Sequence, residues 1–447
     1  ASMMTASMVN MASLLASPNV LARSNNDYKA LVCVFLYGGM DNHDTIIPYD
    51  VDSYQQWANI RSSLLSQYSQ KRDISSLLPI ATSAQGRFGT RKFALPPEMS
   101  GLHQLYQQGK AAVVGNVGPL LAPTNATAFN AQTVPLPSRL FSHNDQQSTW
   151  VSGATEGAQF GWGGQLSDEL INAGLRQENT FSAITTANAS LFITGEKTTP
   201  YHLEGGGALT LDILEENDGL AASLAPHLSA ENYQANHLLK QDLALKVNQS
   251  YSANQLYNDA ISSSPASQVE FPRSYIGNQL KAVSRAISAR SSLQANRQVF
   301  IVAMGGFDTH SGQANSLPKL QSQLDQAILA FDQAMTAMGL NEEVTLFSAS
   351  DFGRTLAING DGTDHGWGAH HFVVGGAVNG GRIFGDIPAA TFGHEFDAGS
   401  GRLIPTSSIE QYAASLGRWM GLNEQALNRV FPNLAQFGQP LNLFHTA

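Results

Sequence analysis

The chain has 447 residues, 25 of them basic and 35 acidic, and a formal charge of −10. That balance, without a basic run, argues against nucleic acid as the main partner, and no apolar stretch reaches the roughly 18 residues that a spanning helix needs. A hydrophobic share of 43% argues against global disorder, a charged share of 13% implies a polar but weakly charged surface, and the single cysteine, Cys33, allows neither an internal disulfide nor a thiolate metal cage.

Ala1 to Ala16 are small or apolar and uncharged, and Val20-Leu21-Ala22 places small residues where a signal peptidase reads them. The expectation is a signal-peptide remnant over 1–22, cleaved after Ala22, with a mature chain from Arg23. The alternative is an amphipathic helix packed on the domain. Ala30–Tyr37, Gln298–Met304 and Val344–Ser348 are short apolar runs rich in β-branched and aromatic residues, and each is followed within a few residues by Gly or Asp. They read as buried parallel strands, with Ala111–Val117 as a fourth. Between about 153 and 294 the strand signals thin out. Ala230–Ala260 and Gln279–Leu293 read as helices, Glu204–Thr210 reads as a loop, and the region reads as a helical insertion rather than a separate domain. Leu317, Leu320, Leu324, Ile328, Phe331 and Met335 recur at spacings of three and four, which predicts an amphipathic helix. Strand, loop, helix, strand is a βαβ unit, so the fold class is α/β: a mostly parallel central sheet flanked by helices, in one domain over 23–447.

Open α/β sheets place ligands at the carboxyl ends of their strands, and the unusual residues gather there. The first strand runs into Gly38-Gly39-Met40-Asp41-Asn42-His43-Asp44. A later one runs into Gly305-Gly306-Phe307-Asp308-Thr309-His310, and the next into Asp351-Phe352-Gly353-Arg354. A following loop carries Asp364, His365 and the pair His370-His371. Carboxylates mixed with imidazoles suit zinc, manganese or iron better than calcium or magnesium alone. Asp41, Asp308, His310, Asp351, Asp364 and His365 are therefore candidate ligands for one or two divalent ions; the plain alternative is that each Asp caps a turn. Phe141-Ser142-His143-Asn144-Asp145 reads as a helix start. There Ser142 is either a nucleophile favoured by the helix dipole or a simple N-cap. Tyr28, Trp57, Trp150, Trp162 and Trp367 are candidates for a carbohydrate or polymer cleft, against the alternative of ordinary core aromatics.

The strings LVCVFLYGGMDNHDTIIPY, FSHNDQQSTW, GGFDTHSGQ, SDFGRT, GTDHGWG and VVGGAVNGGRIFGD resemble the exported bacterial domain-of-unknown-function family 1501, in the right order, from about residue 30 to 434. That family is grouped by fold with the alkaline phosphatase and sulfatase superfamily, and its members commonly carry twin-arginine export signals. The resemblance implies Ser142 as nucleophile, with His143 and Arg354 as further catalytic residues, Arg354 as a fork for the anion. It implies Asp41, Asp308, His310, Asp351, Asp364 and His365 around a divalent metal (zinc, manganese or calcium). Phe352 stands where many relatives have His. The implied function is a periplasmic or secreted, metal-dependent hydrolase of phosphate or sulfate esters. Its partners would be an anionic ester, small or polymeric, and a protein of the cell envelope. The alternative is a binding or assembly protein that keeps the fold without turnover.

Overall fold

The computed structural model describes residues 28–445 except 86, 188, 204–207, 209–237 and 266. The expected signal segment and the expected loop at Glu204–Thr210 lie outside these, apart from Ala208, as does the first part of the helix expected over Ala230–Ala260. In chain order, β1 spans Lys29–Leu36. β2 (Ile47–Pro48), β3 (Leu78–Gln85) and β4 (Gly89–Leu95) make a small antiparallel sheet. Then come β5 (Ala111–Gly118), β6 (Ala183–Thr185), β7 (Tyr201–His202), β8 (Arg297–Met304) and β9 (Val344–Ser350). β10 (Arg354–Asn359) and β11 (Gly362–His365) form a hairpin, followed by β12 (Ala369–Val374), β13 (Ile383–Phe384) and β14 (Ser407–Ser408).

The main sheet has the order β13-β5-β12-β9-β1-β8-β6-β7, with β14 also on β5. It is parallel except at β12, which runs against both β5 and β9. The three longest apolar runs are its three central neighbours, β9, β1 and β8. Both faces of β1 are buried, which is why its sequence reads as a continuous apolar run rather than an alternation. Ala30, Val32, Val34 and Leu36 join one core; Leu31, Cys33 and Phe35 join the other. Helices Tyr275–Ser288 and Gln313–Ala337 cover the first face with Leu280, Val283, Leu324 and Phe331. Helices Trp162–Asn172 and Ile409–Trp419 cover the second with Leu166, Tyr412 and Leu416. The segment expected to be a helical insertion carries helices, Leu238–Ser263 among them, and also supplies β6 and β7 to the sheet edge. His370 and His371 belong to strand β12 rather than a loop, and burial pushes both imidazoles down to about 3. Tyr28 and the four tryptophans named with it are all buried, so these aromatics are core and line no cleft.

The turn after β1 brings three strand ends together. Gly38 has φ +110, and an added Cβ would overlap the backbone of Phe307 and Asp308. Only glycine allows the β1 turn to lie directly on the β8 turn. Replacing Gly38 by Ala should therefore cost more than about 1 kcal/mol and displace Asp308. Denaturant unfolding of that variant, with metal uptake measured in parallel, checks both effects.

Candidate metal centre

The turns after β8 and β9 and the β10–β11 hairpin converge with the start of helix His143–Ser152. Asp308 is the common point. Its Oδ1 lies 3.0 Å from His310 Nε2 and 3.1 Å from His365 Nε2, and accepts from Arg354 Nη1 at 2.8 Å. Its Oδ2 lies 3.5 Å from His143 Nε2. One ligand atom each from His143, Asp308 and His365 falls within 4.8 Å of the others.

The other nitrogen of each imidazole is already committed. His143 Nδ1 donates to Asp351 Oδ2 at 2.7 Å, His310 Nδ1 to Asp364 Oδ1 at 3.1 Å, and His365 Nδ1 to the Phe141 carbonyl at 2.8 Å. All three acceptors lack a proton to give, so each Nδ1 carries a hydrogen, and in the neutral imidazole each Nε2 turns a lone pair inward. His310 Nε2 and His365 Nε2 face each other at 2.8 Å. Two lone pairs hold that distance only with a proton or a cation to share. Three imidazole nitrogens fixed by outer partners, beside a carboxylate, are the donor set of a divalent transition metal, and the residues present fit one.

The surroundings tune this set. Phe352 stacks on His365 (4.5 Å between centroids) and packs on His143 (4.8 Å). Phe141 reaches His365 with its carbonyl from a left-handed conformation, φ 73, a strained backbone of the kind held at functional sites. Burial raises the Asp308 carboxyl, but the hydrogen bond and charge of Arg354 outweigh it, and the net shift is downward. Burial likewise opposes ionisation of Asp364, and bonds from Asn359 and His310 reverse the sign. The hydrogen bond to Asp351 raises His143 above the ordinary imidazole range, whereas burial lowers His365.

These shifts set a pH dependence. Metal must displace the proton that His143 holds, so metal affinity should rise with pH through a value above the ordinary imidazole one and level off beyond it. Below that value the expected slope is about tenfold per pH unit, one proton for one ion. Titration with cobalt or zinc between about pH 5 and 8 checks it, and a flat profile would remove His143 from the ligands.

The structure thus gathers His143, Asp308, His310 and His365 around one point, whereas Asp364, expected as a ligand, reaches it only through His310 Nδ1. Asp351 reaches it only through His143: its Oδ1 accepts from Gly38 N at 3.2 Å and its Oδ2 also accepts from Gln147 at 2.8 Å. Asp41 stands a layer behind. Its fully buried carboxylate pairs with Arg61 at 2.6 Å and accepts from Gln313 Nε2 at 2.6 Å, so it does not join the cluster. Arg354 is buried with donors bound to Asp308, Gly38 O and Thr363; it braces Asp308 and presents no open fork. Ser142 occupies the N-cap position without capping, and its Oγ donates to Asp145 Oδ2 at 2.9 Å. Sequence reasoning missed the Phe141 carbonyl, Gln147, Arg61 and Arg402. Arg402 donates from Nε to the His365 carbonyl at 2.8 Å and lies over the Phe141 ring.

An α/β sheet carrying an imidazole–carboxylate centre at its strand ends defines the class of this protein. The chain belongs to the DUF1501 family, described as proteins of unknown function, whose model matches residues 28–431. Curated proteins give no match. Among solved structures, the C-terminal periplasmic domain of EcEptC from Escherichia coli in complex with Zn is similar at 12% identity and a TM-score of 0.36, over 79% of this chain and 74% of that one. The PsFucS1 sulfatase from Pseudoalteromonas sp. is similar at 10% identity and a TM-score of 0.34, over 89% and 68%. The lipoteichoic acid synthase LtaP from Listeria monocytogenes is similar at 9% identity and a TM-score of 0.32, over 86% and 79%. Among the described residues no helix is long and apolar enough to cross a membrane.

Proposed function

We propose that the chain is an exported, metal-dependent hydrolase of phosphate or sulfate esters. The observation that supports this most is the convergence of three Nε2 lone pairs on the Asp308 carboxylate, each fixed by an outer acceptor on Nδ1. His143, Asp308, His310 and His365 would hold the ion, which would draw electron density from an ester oxygen. Asp351 and the Phe141 carbonyl keep two of the imidazoles in the ligating tautomer, and Arg354 fixes the Asp308 carboxylate. Arg402, rather than the enclosed Arg354, is placed to meet the anion: its charge bears on Asp364, and Nη2 has no protein partner among the described residues. In this reading Ser142 Oγ bonds to phosphorus or sulfur while the ester oxygen leaves, and its proton passes to Asp145. The ester class comes from the family resemblance, and so do export and an envelope partner.

Ser142→Ala should then abolish release of nitrophenol from an aryl phosphate or aryl sulfate and leave metal content unchanged. One observation favours a second reading, a binding or assembly protein without turnover. The Ser142 hydroxyl is committed to Asp145 and to none of the cluster's imidazoles. A metal-loaded wild type inert towards both esters would favour that second reading.

A further inference from the structure

A cavity of 390 Å³ opens at the carboxyl end of β1, between helix His143–Ser152 and the segment Ala189–Phe192. Its size is that of a small-molecule site. Tyr37 supplies a partly exposed ring, backed by the buried rings of Phe35, 4.7 Å from it, and Phe192. Gln147, Asn144 and Glu156 supply the polar groups, and among the described residues no Lys, Arg or His lines it. The direction of the Gln147 amide is fixed. Its Nε2 donates to the acceptor-only carboxylate of Asp351, so its Oε1 is left as an acceptor without a protein partner among the described residues. The Asn144 side chain has no partner there either. A tyrosine ring, a free amide oxygen and a carboxylate, with no cation among the described lining residues, repel an anion and attract an ammonium group.

We propose that this cavity is a binding site for an organic ammonium ion, a primary or methylated ammonium on a short apolar or aromatic stem. The Tyr37 ring, with Val151 and Leu191, takes the stem; Gln147 Oε1 and Glu156 take the charge. Gln147 also touches Asp351, which holds His143, so the cavity and the histidine cluster share a wall. The proposal does not depend on the hydrolase reading, because its test reads binding alone.

The probe is phenyltrimethylammonium, titrated into the full chain by calorimetry, with benzoate as the anionic counterpart. A ligand of this size should bind with a Kd of about 1 mM, and benzoate should not bind. Ser190→Trp, which fills the cavity from its rim, should abolish binding. Glu156→Gln, at an exposed position that folding tolerates, should weaken it about three- to fivefold. If Ser190→Trp does not fold, the Glu156→Gln result decides. No binding by the wild type, benzoate binding as tightly as the cation, or an affinity unchanged in Glu156→Gln would each overturn the proposal.

Discussion

Asp308→Ala is expected to lose bound metal, with affinity falling by well over about 100-fold, beyond the effect of removing an outer partner. Among the described residues the Asp308 carboxylate is the group that touches His143, His310 and His365 together, so its loss would remove a proposed ligand and open the ring of nitrogens. It also strips Arg354 of its only ion-pair partner among the described residues and leaves a buried guanidinium beside the three imidazoles. The positive field of that guanidinium then opposes a cation directly. Asp308→Asn separates the two effects: its amide oxygen still accepts from Arg354, while the negative charge is gone. Asn should sit between wild type and Ala in competition with a chelator. Equal affinity in all three proteins would show that Asp308 is no ligand.

The largest effect on stability is expected at Arg61. Its guanidinium is fully buried and bonds Asp41 through two nitrogens, with further bonds to the Leu356 and Thr355 carbonyls. Burial raises the Asp41 carboxyl, but Arg61's charge and hydrogen bonds pull it below the usual range. Arg61→Met leaves that carboxylate in the core without its counter-charge, at a cost of about 3–5 kcal/mol. The double variant Arg61→Met with Asp41→Leu should recover much of it, because the uncompensated charge is removed. The sign with pH follows. A depressed folded-state pKa stabilises above the unfolded carboxylate pKa, and this stability is lost as pH falls through the folded value. In Arg61→Met that acid-sensitive component should shrink or reverse. Urea unfolding at two pH values measures it, and a loss below about 1 kcal/mol in the single variant would contradict the account.

The two sites are linked by hydrogen bonds. Gln313 donates to Asp41 and accepts from Thr309 and Thr363; Thr363 accepts from Arg354, which holds Asp308. Asp41 is thus connected to Asp308 through three intervening residues, from outside the cluster.

Much of the fold was legible because the central strands are buried on both faces. Such strands show as unbroken apolar runs, and β9, β1 and β8 all do. The outer strands β6, β7, β13 and β14 are two or three residues long and leave no periodicity to read. β12 was hidden by His370 and His371, whose imidazoles looked like chemistry but are buried, with His370 accepting from Asn116 N. Asp308 and His310 stood out because polar residues just behind an apolar run are unusual, and Asp364 and His365 because a carboxylate and an imidazole stand side by side in a glycine-rich loop. The division between ligand and support was not legible. Asp41 and Asp351 follow strands just as Asp308 does. What separates them is a partner distant in sequence: Arg61 for Asp41, and His143 for Asp351, 208 positions away. The Phe141 carbonyl carries no side-chain signature at all.

The most direct measurement is the metal content of the protein purified from its native source without chelator. The account predicts about one equivalent of a divalent transition metal per chain, lost in Asp308→Ala and restored to the apo wild type by added zinc, manganese or cobalt. A fully folded chain that carries no metal, and takes up none at a pH above the His143 transition, would contradict it.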